Sequence, residues 1–167
     1  MIRRVLAVAI TLLCPGMAAP DSYEVRVTAL PGGLFRIAEE TVLLDAPTCV
    51  RPAIGAPAKL DVVARTLSFP EARLVCRVDR LLRPVAPPAG LYDLRVTERA
   101  PDLFDTRLDG WLIVTADCPV PARETPVRIV IDGRGDRMLL TAPDHPRASI
   151  TGRVTCRIRQ VLTEVAF

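Results

Sequence analysis

From Tyr23 to Thr28 apolar and polar residues alternate one for one, Tyr-Glu-Val-Arg-Val-Thr. That two-residue period is the mark of a strand with one buried and one wet face. Residues 92–97, Tyr-Asp-Leu-Arg-Val-Thr, repeat it with the same parity. Pro31-Gly32-Gly33 and Ala100-Pro101-Asp102 then break the chain. Leu34-Phe35-Arg36-Ile37 follows as a short strand, with residues 103–106 as a weaker counterpart. Residues 41–45 and 111–115 give the next strands. Trp111 to Val114 are apolar on both parities, which predicts cover on both faces. Residues 59–64 and 127–131 are strands, as are 66–69 and 138–141. Residues 73–79 and 153–159 alternate again, with Leu74, Cys76 and Val78 pointing one way and Val154, Cys156 and Ile158 doing the same. No amphipathic helix is legible. The 16 prolines fall mainly at strand ends and in loops, as short strands require.

The parity match has a wider basis. Shifting the chain by 69 positions lays Tyr23, Arg26, Val27, Thr28, Leu34, Phe35, Leu43 and Cys49 on Tyr92, Arg95, Val96, Thr97, Leu103, Phe104, Leu112 and Cys118. Pro52, Ala53 and Pro57 continue onto Pro121, Ala122 and Pro126. A fixed-period self-match is a statement about architecture. It predicts an all-β protein of two tandem modules from an internal duplication, each a small β-roll or partly open barrel of about five strands. The expected order is a leader at 1–18, a first module at 19–82, a stiff proline-rich linker at 83–90 and a second module at 91–167. Modules this small bury too little surface to stand easily alone, so staples and mutual packing are both expected.

Composition refines this picture. Arg3 and Arg4 precede a ten-residue apolar run, Val5 to Cys14, and Gly16-Met17-Ala18 offers a cleavage site after Ala18. The run is too short to span a bilayer, and no later segment is a transmembrane candidate. A lipid-anchor reading would use Cys14, but Leu13 stands where a small residue is needed. The formal net charge of +3 loses Arg3 and Arg4 with the leader and falls to +1, which gives no footing for nucleic-acid capture. Four cysteines remain: Cys49, Cys76, Cys118 and Cys156. An even number behind a leader implies disulfides and a periplasmic or secreted protein. The repeat selects Cys49–Cys76 and Cys118–Cys156. No C-x-x-C occurs and His145 is the single histidine, so no metal site and no cofactor are expected.

Candidate chemistry is sparse. Arg134-Gly135-Asp136, with Arg137, lies on a predicted hairpin tip. Integrin-type recognition is one reading and plain turn chemistry the better one. Asp144 and His145 sit in a second long loop, 143–149, without a serine or cysteine partner for catalysis. Asp132, Asp136 and Asp144 lack the alternate spacing of a calcium loop. Arg153, Arg157 and Arg159 share one parity and form a basic stripe able to hold phosphate or carboxylate groups of an envelope polymer, or simply a wet strand face. Trp111 reads as a core anchor. No catalytic residue is assigned.

Trp111-Leu112-Ile113-Val114-Thr115-Ala116-Asp117-Cys118, followed by Cys156-Arg157-Ile158, resembles a pattern in small exported bacterial β-rich proteins: an aromatic, alternate apolar residues, Thr-x-x-Cys, then Cys-x-[Val/Ile]. The first copy is a degraded version, with Val42 for the aromatic and Ala46 for the threonine. The resemblance implies the same cysteine pairing and an envelope setting, and nothing about mechanism. The expected function is therefore an exported, non-enzymatic binding or structural protein whose partner, a protein or envelope polymer, is met through the longer loops of the second copy, 132–137 and 143–149, with Arg134, Asp136, Arg137, Asp144 and His145 as the contact residues. The rivals are an envelope enzyme using paired carboxylates, and an inhibitor of a secreted hydrolase wedging a proline-rich loop beside Cys49 or Cys118.

Overall fold

The computed structural model describes residues 22–50, 53–106, 110–116, 118, 123–141 and 152–167. The expected leader, Cys14, and the loop with Asp144 and His145 lie outside them. Thirteen strands form one antiparallel sheet: β1 Ser22–Leu30, β2 Leu34–Ile37, β3 Leu43–Asp45, β4 Ala56–Asp61, β5 Thr66–Phe69, β6 Leu74–Arg77, β7 Arg80–Val85, β8 Gly90–Ala100, β9 Leu103–Asp105, β10 Trp111–Ala116, β11 Thr125–Ile131, β12 Arg137–Thr141 and β13 Arg153–Val165. The sequence of neighbours is β10-β9-β8-β11-β12-β13-β7-β3-β2-β1-β4-β5-β6, and β10 also pairs with β13. The second half is thus a closed six-stranded barrel, where a partly open one with five strands was expected. In the first half β6 runs through Val78 and Asp79 into β7, which pairs with β3. Backbone bonds from Val78 N–H to the Arg65 carbonyl and from Asp79 N–H to the Asp45 carbonyl (both 2.8 Å) hold that crossing.

The strand pairings of the halves correspond in register. Arg26 faces Pro57 as Arg95 faces Pro126. Phe35 faces Leu44 as Phe104 faces Ile113. Leu67 faces Cys76 as Met138 faces Cys156, and Leu43 faces Leu82 as Leu112 faces Leu162. Both expected disulfides are formed, with Cα atoms 5.3 Å apart for Cys49–Cys76 and 5.0 Å for Cys118–Cys156. They fit an oxidising compartment. Among the described residues no helix is long and apolar enough to cross a membrane.

Each barrel has its own core. Val27, Phe35, Leu44, Leu67 and Phe69 fill the first, and Phe104, Ile113, Ile129, Met138 and Leu140 the second. A third cluster lies between them, built from Leu34, Leu43 and Leu82 of one half and Leu103, Leu112 and Leu162 of the other. These are three matched pairs, so the halves meet as the subunits of an isologous dimer do. This explains why Trp111 to Val114 read as apolar on both parities. Ile113 points into the barrel and Leu112 into the seam.

The linker expectation needs correction. Arg83, Pro84 and Val85 belong to β7 and pair with Thr163, Leu162 and Val161 of β13. Only 86–89 joins strands. Pro84 is tolerated because β3 pairs with β7 only through residues 80–82. The proline therefore faces one neighbour, and its missing N–H breaks no ladder on the other side.

One matched position explains the Thr-x-x-Cys motif. Gly33 and Asp102 occupy it, with φ of 76° and 62°. In the second half Asp102 Oδ1 accepts from the Thr115 hydroxyl (2.9 Å) and from the Cys118 N–H (2.8 Å). The threonine thus holds the carboxylate that caps the approach to the disulfide. In the first half a Cβ on Gly33 would sit 2.6 Å from the Pro47 Cα, and Ala46 stands where the threonine would be. Glycine is required there by space as well as by φ.

Candidate functional site

Alternation on β8, β11, β12 and β13 turns one residue in two away from the second barrel's core. The outward set falls in transverse rows. Arg95 lies opposite Pro126, and Thr141 opposite Arg153. In the next row Asp93 faces Arg128, Arg128 faces Leu139, and Leu139 faces Thr155. In the third, Val130 faces Arg137 and Arg137 faces Arg157. The first two rows floor a groove of about 610 Å³, lined by Arg95, Arg128 and Arg153 with Asp93, Pro126, Leu139 and Thr141. Five arginines thus share this face with one acid of the strands, Asp93.

The pairing within this face is uneven. Asp93 accepts two bonds from the Arg128 guanidinium, at 2.7 and 3.1 Å. Arg128 holds the Asp93 carboxyl below its usual range, chiefly through that hydrogen bond. Arg137 and Arg157 stand directly opposite each other, an unfavourable like-charge pair. It is eased by Asp132, whose Oδ2 lies 3.2 Å from Arg137. An anion laid across these rows would meet the summed positive charge of the five arginines and would relieve the Arg137–Arg157 repulsion.

The basic stripe expected on the last strand is therefore divided. Arg153 lines the groove and Arg157 flanks it. Between Thr115 and Val114 the β10–β13 register shifts, and Arg159 is the extra residue. It lines a separate recess of about 320 Å³ with Asp132, Asp136 and the 86–89 crossing. Arg95 and Arg128 were missed, although their parity against Leu94 and Ile129 marks them as outward. What no pattern supplies is which outward residues of distant strands become neighbours.

The tip holding Arg134, Asp136 and Arg137 is closed on itself. Asp132 Oδ1 accepts from the N–H groups of Arg134 (2.8 Å) and Gly135 (3.0 Å). Asp136 Oδ1 accepts from those of Asp132 (3.1 Å) and Gly133 (3.2 Å). Both carboxylates serve the turn, which favours the turn-chemistry reading of Arg134-Gly135-Asp136. The Arg134 N–H is the main cause that holds the Asp132 carboxyl below its usual range, against the opposing effect of burial, with Gly135 and Arg137 adding to it. A carboxyl depressed on folding stabilises above the unfolded value near pH 4 and loses that contribution as pH falls through the folded value. The amide resonances of Arg134 and Gly135 should accordingly keep their native positions at pH 4 and move only on further acidification. Movement centred at pH 4 would mean that the turn is not capped.

Among the described residues one carboxylate is fully buried, Asp45, 1% exposed. It lies in the seam between the barrels. Its oxygens accept from Arg80 Nε (2.9 Å), from Arg99 Nη1 (2.8 Å) and from Arg99 Nη2. Arg80 continues to Asp105 (2.8 Å). Burial works against the Arg80 charge, and Asp105 and Asp45 together outweigh it, leaving its affinity for the proton raised. Arg99 reaches Asp45 because the β8–β9 register shifts between Glu98 and Ala100, which re-aims the bulged residue across the seam. This network joins the halves, and Arg99 also lines a recess of about 370 Å³ with Leu30, Gly33, Phe35 and Pro47.

No family model, no curated protein and no solved structure matches this chain. The site's own geometry therefore carries the functional reading. For the inhibitor reading, Val50 and Ile54 beside Cys49 are almost fully exposed, while residues 51, 52 and 119–122 lie outside the described set.

Proposed function

We propose that the chain is an exported, non-enzymatic binding protein of the cell envelope. In this reading one disulfide-clasped barrel unit was duplicated, and the second copy came to hold the anionic groups of an envelope polymer on its outer face. The observation that carries the binding role is the convergence of Arg95, Arg128 and Arg153 on one groove, with Arg137 and Arg157 in the adjoining row. Guanidinium forks suit phosphate and carboxylate. A sheet face held by a closed barrel presents them without a backbone ordering cost on binding. The duplication is supported by the equal registers and by the matched leucines of the seam. Export is supported by the apolar run before Ala18 and by the two disulfides.

The test is binding of the mature chain to two probes, inorganic polyphosphate and polygalacturonate, by calorimetry at low and high salt. Removing a charge-assisted bond costs about 1.5–3 kcal/mol, or roughly tenfold or more in affinity. The Arg95→Ala/Arg153→Ala pair should weaken binding by at least that factor, and added salt should weaken it further. The Arg26→Ala/Lys59→Ala pair on the first barrel serves as control. Failure of the mature chain to bind either probe, or equal losses in both variants, would reject the assignment of the groove.

A further inference from the structure

The two barrels differ at their mouths. In the second, Trp111 meets the edge of Tyr92, with ring centroids 5.1 Å apart. The Tyr92 hydroxyl donates to the Pro88 carbonyl (2.7 Å). Both rings pack on the barrel core. In the first barrel the matching positions are Tyr23 and Val42. An isopropyl group stands where the other barrel has an indole, and Tyr23 is left 39% exposed. The result is an open recess of about 510 Å³, with an apolar wall that includes Tyr23, Val25, Val42, Leu60 and Leu81. That is the size and the place, the mouth of a β-barrel, at which small ligands are taken.

Charge at the rim selects among them. Glu39 and Glu40, on the turn after β2, border the recess, as do Glu24 and Arg26. Glu24 lies opposite Lys59, and the Arg26 guanidinium donates to the Gly55 carbonyl (3.1 Å). That bond leaves Arg26 its charge, so with Glu24 facing Lys59 the rim sets Glu39 and Glu40 against Arg26, and the local field is negative by one charge. We infer that the mouth of the first barrel binds a small arylalkylammonium ion. Its ring lies against Tyr23 in the space that Trp111 fills in the other barrel, and its ammonium faces Glu39 and Glu40. This site is separate from the arginine groove and does not depend on it.

Amide spectra of the mature chain titrated with tryptamine, and with indole-3-acetate as the same ring with opposite charge, test the inference. Tryptamine should shift the resonances of Val25, Val42, Leu60 and Leu81. It should bind roughly tenfold more tightly than indole-3-acetate. Val42→Trp, which supplies the missing indole from the chain itself, should abolish those shifts. Glu39→Gln/Glu40→Gln, confined to an exposed turn, should keep the fold and remove the preference for tryptamine. No shifts at the mouth with millimolar tryptamine, equal binding of the two ligands to the unaltered chain, or undiminished binding by a folded Val42→Trp variant would overturn it.

Discussion

Replacing Asp45 with alanine should lower the free energy of unfolding by about 3 kcal/mol. Removing one partner of a buried ion pair costs about 3–5 kcal/mol, because the charge left behind has lost both water and counterion. Arg80 and Arg99 keep some solvent contact, with side chains 20% and 16% exposed, which places the expected loss at the lower end. For a chain of this length the midpoint of thermal unfolding should fall by about 6–12 °C. The seam itself supplies a rescue. Asp45 faces Leu34 as Val114 faces Leu103, and Arg99 stands at the position of Leu30. The matched contact on the other side of the seam is therefore Val114 with Leu30, both packed on the leucine cluster. Asp45→Val with Arg99→Leu copies that apolar contact and leaves Arg80 with Asp105. The double variant should recover most of the lost stability, since well-packed apolar substitutes for a buried pair are often neutral or better. A double variant as unstable as Asp45→Ala would show that the two sides of the seam are not equivalent surroundings.

The second large effect is expected from the disulfides. Cys49 and Cys76 are 27 residues apart, and Cys118 and Cys156 are 38. On the loop-entropy account these bridges contribute about 3.5 and 4 kcal/mol. Cys156 lies opposite Met138 in the core of the second barrel, and Cys118 is tied to Asp102. The Cys118→Ser/Cys156→Ser variant therefore loses a crosslink beside a structured cap and puts a hydroxyl into the core. Urea unfolding followed by Trp111 fluorescence should register a loss of about 4 kcal/mol or slightly more, and reductant, which opens both bridges, should cost the unaltered chain more than that. Unfolding curves insensitive to reductant would contradict the structural role assigned to these bridges.

The strands and the cysteine pairing were legible because they rest on local parity and on the 69-residue self-match of the sequence. Tyr23 to Thr28 shows its faces directly, and Cys49 on Cys118 carries the pairing. The seam was not legible. Leu43 and Leu82 lie outside their own barrel, and only a second barrel with Leu112 and Leu162 makes that position dry. Asp45 and Arg99 are 54 residues apart, and the bulge that joins them leaves no mark in the alternation. The strand at Arg83–Val85 was hidden by Pro84, whose effect on a ladder depends on which neighbours are present. The arginine groove was half legible. Arg153 and Arg157 announce themselves on one strand, whereas Arg95 and Arg128 arrive from strands whose adjacency is decided by barrel closure. The open mouth of the first barrel was recorded in the sequence as valine in place of an aromatic. Its meaning needed the ring contact of Trp111 with Tyr92 for comparison.

Because β7 lies between β3 and β13, one hydrogen-bonded ladder ties the walls of the two barrels together. Neither half can drift away while its partner stays intact, since separation strips hydrogen bonds and leucines from both at once. The chain should accordingly melt as a single cooperative body, and a protease cut between Ala86 and Ala89 would leave two fragments still clasped together. Peptide continuity matters here for how the pieces first find each other, and far less for keeping them joined.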